Sequence, residues 1–217
     1  DDNTAVGYDA LTTNTTGIEN AAFGTESLKD NTTGIGNTAV GRVSLANNTT
    51  GDHNVSIGEA AGFGITTGNN NICIGQDSGR SASPFDVTTE DNRIVLGNNN
   101  ITNAYIKVAL TVTSDKRDKT DIQDITTGLN FVNQLKPKSF WFRKNRDTDE
   151  KAGQQRYGFI AQDILALEGD NPIIIDNEQE DHLKYKGEHL IPILVKAIQE
   201  LTMEVNKLKS NGWTYHR

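Results

Sequence analysis

Over the first eighty residues the apolar positions come singly and at a fixed interval. Val6, Phe23, Val40, Ile57 and Ile74 each stand directly before a glycine, and two places earlier come Thr4, Ala21, Thr38, Val55 and Ile72. Between them the chain is mostly Asn, Thr and Gly. Asparagine recurs at Asn3, Asn20, Asn37, Asn54 and Asn71, with glycine four residues later at Gly7, Gly24, Gly41, Gly58 and Gly75, a period of 17 without slippage. A second glycine keeps that period at Gly17, Gly34, Gly51 and Gly68, and a leucine does so at Leu11, Leu28 and Leu45. A unit this short holds one or two brief strands and turns, too little to bury an apolar face alone, so neighbouring units must stack into a solenoid. The β-branched residues argue for strands. Glycine at fixed phase supplies positive-φ corners, and the Asn-Thr-Thr-Gly segments mark a second turn. One small or medium apolar side chain per layer makes a thin core, so several chains are expected to pack their solenoids side by side.

The period is lost after Gly79. Residues 80–92 carry the Ser-Ala-Ser-Pro chemistry of a loop, and residues 92–97 read as one further, altered rung. Residues 101–113 alternate or run apolar through Tyr105, Ile106, Val108, Leu110 and Val112, which predicts a strand or two. Farther on, Phe140-Trp141-Phe142 follows Lys136-Pro137-Lys138 as a core strand, residues 157–164 form core around Gly158, and residues 172–175 make a short buried strand. From Ile191 the apolar residues run Ile191, Leu194, Ile198, Leu201, Val205 and Leu208, a spacing of 3, 4, 3, 4 and 3. That is a coiled-coil seam over residues 191–209, with Pro192 in the first turn and Asn211-Gly212 as the stop. Ile or Val at the a positions with Leu at d favours two strands in long parallel coils.

Charge divides the chain at the same place. Residues 1–113 carry 5 Lys/Arg against 12 Asp/Glu, and residues 114–217 carry 16 against 17, so the acidity lies in the first half. This argues against nucleic acid or anionic lipid as the main partner. No apolar run approaches the roughly 20 residues of a membrane helix. The single cysteine, Cys73, excludes an internal disulfide and a cysteine-rich zinc site, and reads as a small buried residue. His53, His182, His189 and His216 show no metal-ligand spacing, and no glycine-rich phosphate loop opens a helix, so neither metal nor cofactor is expected. The Asn-x-Thr triplets recur because the repeat recurs. The chain opens inside a repeat, at Asp1-Asp2-Asn3, and is expected to be the C-terminal piece of something longer.

The N-T-A-V-G and N-T-T-G units resemble the left-handed β-roll repeats in the heads of YadA-like trimeric adhesins, which also occur in phage tail fibres. The resemblance covers residues 3 to about 80, and such rolls serve both as binding surfaces and as spacers. The candidate chemistry begins at residue 114, where the chain reads Ser114-Asp115-Lys116-Arg117-Asp118-Lys119-Thr120-Asp121-Ile122. This closely resembles the S-D-x-R-x-K-x-x-I signature of the S74 peptidase family, the intramolecular chaperone domain of endosialidase-type tailspikes and fibres. The resemblance continues through residues 131–140, 157–164 and 197–201. It implies self-cleavage between Thr113 and Ser114 by a serine and lysine dyad, with Ser114 as nucleophile and Lys119 as base. A hydroxyl is a poor nucleophile until a base takes its proton, and a lysine serves as base only when burial or a nearby cation favours the neutral amine. Asp115 and Arg117 are supporting motif positions. Arg117 either grips a carboxylate to fix the turn or helps keep Lys119 neutral by repulsion.

The fold expected is thus a trimeric β solenoid of 17-residue repeats (residues 1–80), an irregular β connector (81–113) and an α+β chaperone domain (114–217) ending in a coiled-coil helix. The function expected is that of a phage tail fibre or tailspike end in the virion, assembled in the host cytoplasm. Its chaperone domain trimerises the chain, the resemblance again indicating three copies, and then cuts itself off in a single turnover. The partners expected are two further copies, other tail proteins and a host cell-surface receptor or glycan. Two alternatives share the repeats. A bacterial surface adhesin would call for a membrane-anchoring barrel after Leu208, and the stalk of a glycan-degrading tailspike would have its enzyme upstream, the repeats themselves displaying no convincing carboxylate pair.

Overall fold

The structure is a computed structural model that describes residues 2–80, 84–144 and 146–211. Residues 81–83 of the expected loop, Gly212 and His216 lie outside the described residues. Two compact units are present, Asp1–Ala104 with Arg143–Ala152, and Tyr105–Phe142 with Gly153–Arg217.

The first unit is a β solenoid with one three-residue strand per repeat. Its strands are β1 (Thr4–Val6), β2 (Ala21–Phe23), β3 (Thr38–Val40), β4 (Val55–Ile57), β5 (Ile72–Ile74) and β6 (Ile94–Leu96), a single parallel sheet in chain order. From β1 to β5 each residue pairs with the one 17 positions on, as Ala22 with Ala39. β6, the altered rung expected from the sequence, joins β5 at a shift of 22, with Cys73 opposite Val95.

The residue facing inward is the middle one of each strand. Ala22, Ala39, Ser56, Cys73 and Val95 are buried, whereas the apolar residues that mark the period, Phe23, Val40, Ile57 and Ile74, stay about 40% exposed on the outer face. Pleating requires this, because alternate side chains of a strand point to opposite faces. Leu28, Leu45, Ile65 and Val87 complete the core. The leucines sit in left-handed backbone at φ 48° for Leu28 and 49° for Leu45, held there by N–H bonds to the Ser44 and Ala61 carbonyls of the next rung. One repeat further, Gly62 takes the left-handed position and Ile65 replaces the asparagine three residues on. The core side chain has moved along the rung: a Cβ on Gly62 would stand 3.3 Å from Ile65 Cδ1 and 3.0 Å from Leu45 Cδ2.

Glycine does two different jobs. The first set adopts positive φ as expected, and at Gly41 (φ +132°) a Cβ would sit 2.5 Å from the Gly58 carbonyl oxygen. The glycines of the Asn-Thr-Thr-Gly turns have ordinary φ instead; at Gly34 a Cβ would fall 2.5 Å from the Gly51 oxygen. Close approach of stacked backbones, with rungs about 4.8 Å apart, is what excludes side chains there.

Buried asparagines tie the rungs together. Asn37, Asn54 and Asn71 donate backbone N–H groups to the Oδ1 atoms of Asn20, Asn37 and Asn54, at 2.9, 2.9 and 3.0 Å. Their side-chain amides donate to Gly51, Gly68 and Glu90 carbonyls, each at 2.8 Å. A second ladder runs from Asn31 Nδ2 to Asn14 Oδ1 (2.9 Å) and from Asn48 Nδ2 to Asn31 Oδ1 (2.8 Å). It stops at Ile65, which leaves the buried Asn48 Oδ1 without a donor among the described residues.

The second unit contains α1 (Leu129–Gln134), β7 (Lys138–Arg143), β8 (Lys151–Gly158), α2 (Ala161–Glu168), β9 (Ile175–Asp176), β10 (Lys184–Tyr185) and α3 (Leu190–Ser210), although residues 143–152 of the β7–β8 hairpin fall with the first unit. Its core gathers Ile164, Ile174, Ile175 and Leu190, with Phe131, Leu135, Phe159 and Ile193 around them. Glu168, at the end of α2, accepts the N–H groups of Ile173, Ile174 and Ile175 at 2.8, 2.7 and 3.0 Å and so shapes the turn into β9. The seam helix forms as expected, with Leu190 and Ala197 buried and the seam residues exposed.

Three expectations are corrected. Residues 101–113 form no strand: among the described residues none of the three sheets takes them as a partner, and an extended segment without a paired backbone is not a strand. Residues 140–142 lie on a strand, but Trp141 and Phe142 are exposed, as is Tyr157. β7 and β8 form a sheet of two strands, and the Phe142 ring meets the Arg156 guanidinium at 5.4 Å and the edge of Phe140 in place of a packed core. The isoleucine strand shrinks to β9, and Ile173 faces solvent.

Two stability predictions test these ties. Asn54→Ala strips the donor to Gly68 and the acceptor of Asn71, so the solenoid should lose about 3 kcal/mol in urea unfolding. Glu168→Gln halves the acceptor capacity facing three N–H groups, and should destabilise the second unit by about 1 to 2 kcal/mol in the same measurement.

Candidate functional site

The motif at residue 114 is built as a small self-capped turn. Asp115 has extended backbone (φ −67°, ψ 137°), and its carboxylate accepts the Arg117 N–H at 2.9 Å, which starts a single 3-10 turn over Lys116–Asp118. The Asp118 and Lys119 N–H groups close that turn onto the Asp115 and Lys116 carbonyls, each at 3.2 Å. Lys119 then returns to extended backbone (φ −124°, ψ 143°). The chain has doubled back, and Lys119 Nζ donates to Ser114 Oγ at 2.6 Å and to the Ser114 carbonyl at 3.2 Å.

Arg117 grips Asp115 with a fork. Its Nε lies 3.1 and 3.2 Å from the two carboxylate oxygens and its Nη2 lies 2.6 Å from Oδ2. The guanidinium contact first, and the Arg117 N–H second, hold the Asp115 carboxyl below the usual carboxylate range, and the same contact raises Arg117. Of the two roles weighed for Arg117, this geometry has it fixing the turn. The turn in turn sets the five-residue span that lets Lys119 reach Ser114.

All of this lies in the open. Ser114, Asp115, Arg117 and Lys119 are exposed, and among the described residues none donates a hydrogen bond to the Thr113 carbonyl. The hydrogen bond observed has the lysine as donor. General-base work needs it reversed, with a neutral Nζ accepting the Oγ proton, a state that burial favours.

Residues 114–170 match the family model for peptidase S74, the chaperone of endosialidase. The match starts at Ser114 itself. It spans about a quarter of the chain and takes in the capped turn, α1, the β7–β8 hairpin and α2. No curated protein and no solved structure matches the chain. The similarity to a chaperone and peptidase family is thus confined to residues 114–170, and α3 lies beyond the matched residues.

Two carboxylates that organise this region escaped the sequence reading. Glu200 accepts the Leu129 N–H at 2.7 Å, fastening α3 to the start of α1, and Lys196 lies 3.7 Å from it. Its phase is the only sequence sign: with Leu190, Ile193 and Ala197 it lies on a helix face about 90° round from the heptad seam. Glu168 carries no such sign, because the N–H donors it serves lie in a turn that periodicity does not reach.

The remaining candidates are quiet. Among the described residues no cluster of three or more His, Cys, Asp or Glu side chains is placed to hold a metal, and no helix is long and apolar enough to cross a membrane. Cys73 is fully buried, and burial pushes its thiol up to about 11. The proton is thus held more tightly in the folded chain than in the unfolded one. The thiol's stabilising contribution is complete below about pH 9 and is lost as pH rises toward 11. Urea unfolding at pH 8 and 11 should show the parent losing about 2 to 3 kcal/mol more than Cys73→Ala across that interval.

Proposed function

We propose that the chain is the C-terminal part of a phage tail fibre or tailspike whose S74 region brings three copies into register and then cuts the Thr113–Ser114 bond once. The observation that carries this reading is the 2.6 Å contact of Lys119 Nζ with Ser114 Oγ at the first residue of the S74 match. The β-roll is then shaft or receptor-facing tip of a virion fibre, with other tail proteins and a host surface receptor or glycan as partners.

The chemistry proposed uses the two side chains in contact. Neutral Lys119 Nζ takes the Ser114 hydroxyl proton as Oγ attacks the Thr113 carbonyl carbon, closing a five-membered ring with the Ser114 backbone nitrogen. When the intermediate collapses, that nitrogen leaves with a proton from the lysine ammonium, and Thr113 is joined to Ser114 Oγ as an ester. Water, deprotonated by the same amine, hydrolyses the ester to a Thr113 carboxylate and restores the hydroxyl. The bond is gone, so the turnover is single.

The open site gives assembly its part. The turn is exposed and, among the described residues, offers the oxyanion no donor, so neighbouring copies are assigned the work of excluding water from the site and supplying that donor. Cutting then reports correct assembly. Registration helps because parallel solenoids must align chains before distant contacts reward the alignment, a slow step that a C-terminal nucleus shortens. Removal of the nucleus closes the reverse route and makes the fibre kinetically stable.

Denaturing electrophoresis with intact mass on the freshly expressed chain tests this. Fragments of roughly 12 and 11 kDa are expected, in proportion to the residues on either side of the bond within 23.7 kDa. Ser114→Ala should stay whole, and Lys119→Met should cut at least about a hundredfold more slowly, the usual worth of a general base. A single intact band in the parent chain overturns the catalytic reading. Equal rates across a dilution series that separates the copies overturn the dependence on assembly.

A further inference from the structure

The alternating stretch before the proposed cut site and the seam on α3 share one property: among the described residues nothing covers them. Ile106, Val108, Leu110 and Val112 are 60%, 72%, 81% and 82% exposed. They alternate with Lys107, Ala109 and Thr111, so in extended backbone they fall on one face. Within the same unit, α3 leaves its seam from Ile191 to Leu208 in solvent. A 3-4-3-4-3 seam is matched by a helix of the same spacing. The other helices, α1 and α2, have six and eight residues. The occupant that fits is α3 of a second copy.

We infer that residues 105–113 become a strand only in the assembly, packing the face formed by Ile106, Val108, Leu110 and Val112 against the same face of neighbouring copies. This rests on the self-assembly part of the proposed function. Parallel pairing of identical helices sets like residues at like heights, and so gives each copy's segment its own counterpart as the neighbour. Area supports the same occupant. The 21-residue α3 is about 32 Å long. Residues 105–113, extended, are about 30 Å long. As apolar strips about 10 Å wide, they bury on the order of 600 Å² per copy together, near the roughly 800 Å² a stable interface takes from each partner, and neither suffices alone.

The pairing also explains how assembly reaches the cut bond. Thr113 is the last residue of the segment, so ordering the strand fixes the carbonyl that Ser114 Oγ attacks, with its flanking dihedrals no longer free.

The test uses the full chain carrying Cys73→Ser, which removes the native thiol, and Ser114→Ala, which removes the chemistry. Leu110→Cys is placed on the converging face and Lys107→Cys on the opposite one, and each chain is mildly oxidised and run on a non-reducing denaturing gel. The expected result is at least tenfold more disulfide-linked dimer from Leu110→Cys than from Lys107→Cys. Val108→Cys serves as a second probe of the same face. Sedimentation of the same samples separates the two claims. An oligomer with no link at either converging position, or with equal links on both faces, overturns the strand pairing alone. A monomer overturns the pairing and the assembly reading together. Because Ser114→Ala cannot cut, failure of the dyad chemistry leaves this readout untouched.

Discussion

Every rung of the solenoid depends on the satisfaction of a buried amide. Asn20, Asn37, Asn54 and Asn71 lie out of reach of water, and each meets its needs from the next rung along, by accepting a backbone N–H and donating to a glycine or glutamate carbonyl. A buried amide without partners is costly, so a slip of one residue would penalise every rung at once. This explains why the spacing of 17 is held without deviation from β1 to β5 although the core is narrow and its inward residues are as small as Ala22 and Ala39. Backbone contact between stacked glycines adds a steric limit to the same register.

The second unit is organised in the opposite way. Its interior is a small cluster around Ile164, Ile174, Ile175 and Leu190, pinned by two carboxylates that each receive backbone N–H groups. Its largest apolar groups face outward instead. Trp141, Phe142 and Tyr157 on the hairpin, the seam of α3 and the stretch before Ser114 all lie in water. Exposed apolar surface on this scale distinguishes the second unit from the solenoid interior. The charged turn that holds Ser114 against Lys119 sits within this exposed part, ordered locally by Asp115 and Arg117 but not enclosed.

What could be read from sequence follows from the range of the forces involved. The solenoid was legible because its determinants repeat: Asn, Gly and Leu at fixed phase state the register directly, and even the altered rung at β6 kept enough of the pattern. Which side of the strand turned inward was less plain. Hydrophobicity points to Val40 and Ile57, and it is the room inside the coil that selects Ala39 and Ser56. In the motif, the five-residue span from Ser114 to Lys119 was visible, but the fork of Arg117 on Asp115 was one of two options until the turn was seen. α1 and α2 are too short for a periodic signal, and Glu168 and Glu200 act on partners distant in sequence or placed by a turn. The alternation of residues 101–113 was read correctly as a pattern and wrongly as a strand of this chain, because alternation specifies a face and says nothing of where the partner edge comes from.

The exchange of Leu and Asn for Gly62 and Ile65 gives the solenoid a direction of growth. Up to Asn48 both asparagine ladders run unbroken, so a block of seventeen residues from this part presents the same acceptors above as below. Such a block could be duplicated or deleted with no new kind of junction, each event changing the length by about 4.8 Å. Beyond Ile65 the blocks differ from one another and from those before, and their order is fixed. The solenoid thus joins a stretch of interchangeable rungs to one whose rungs each fit only their own neighbours.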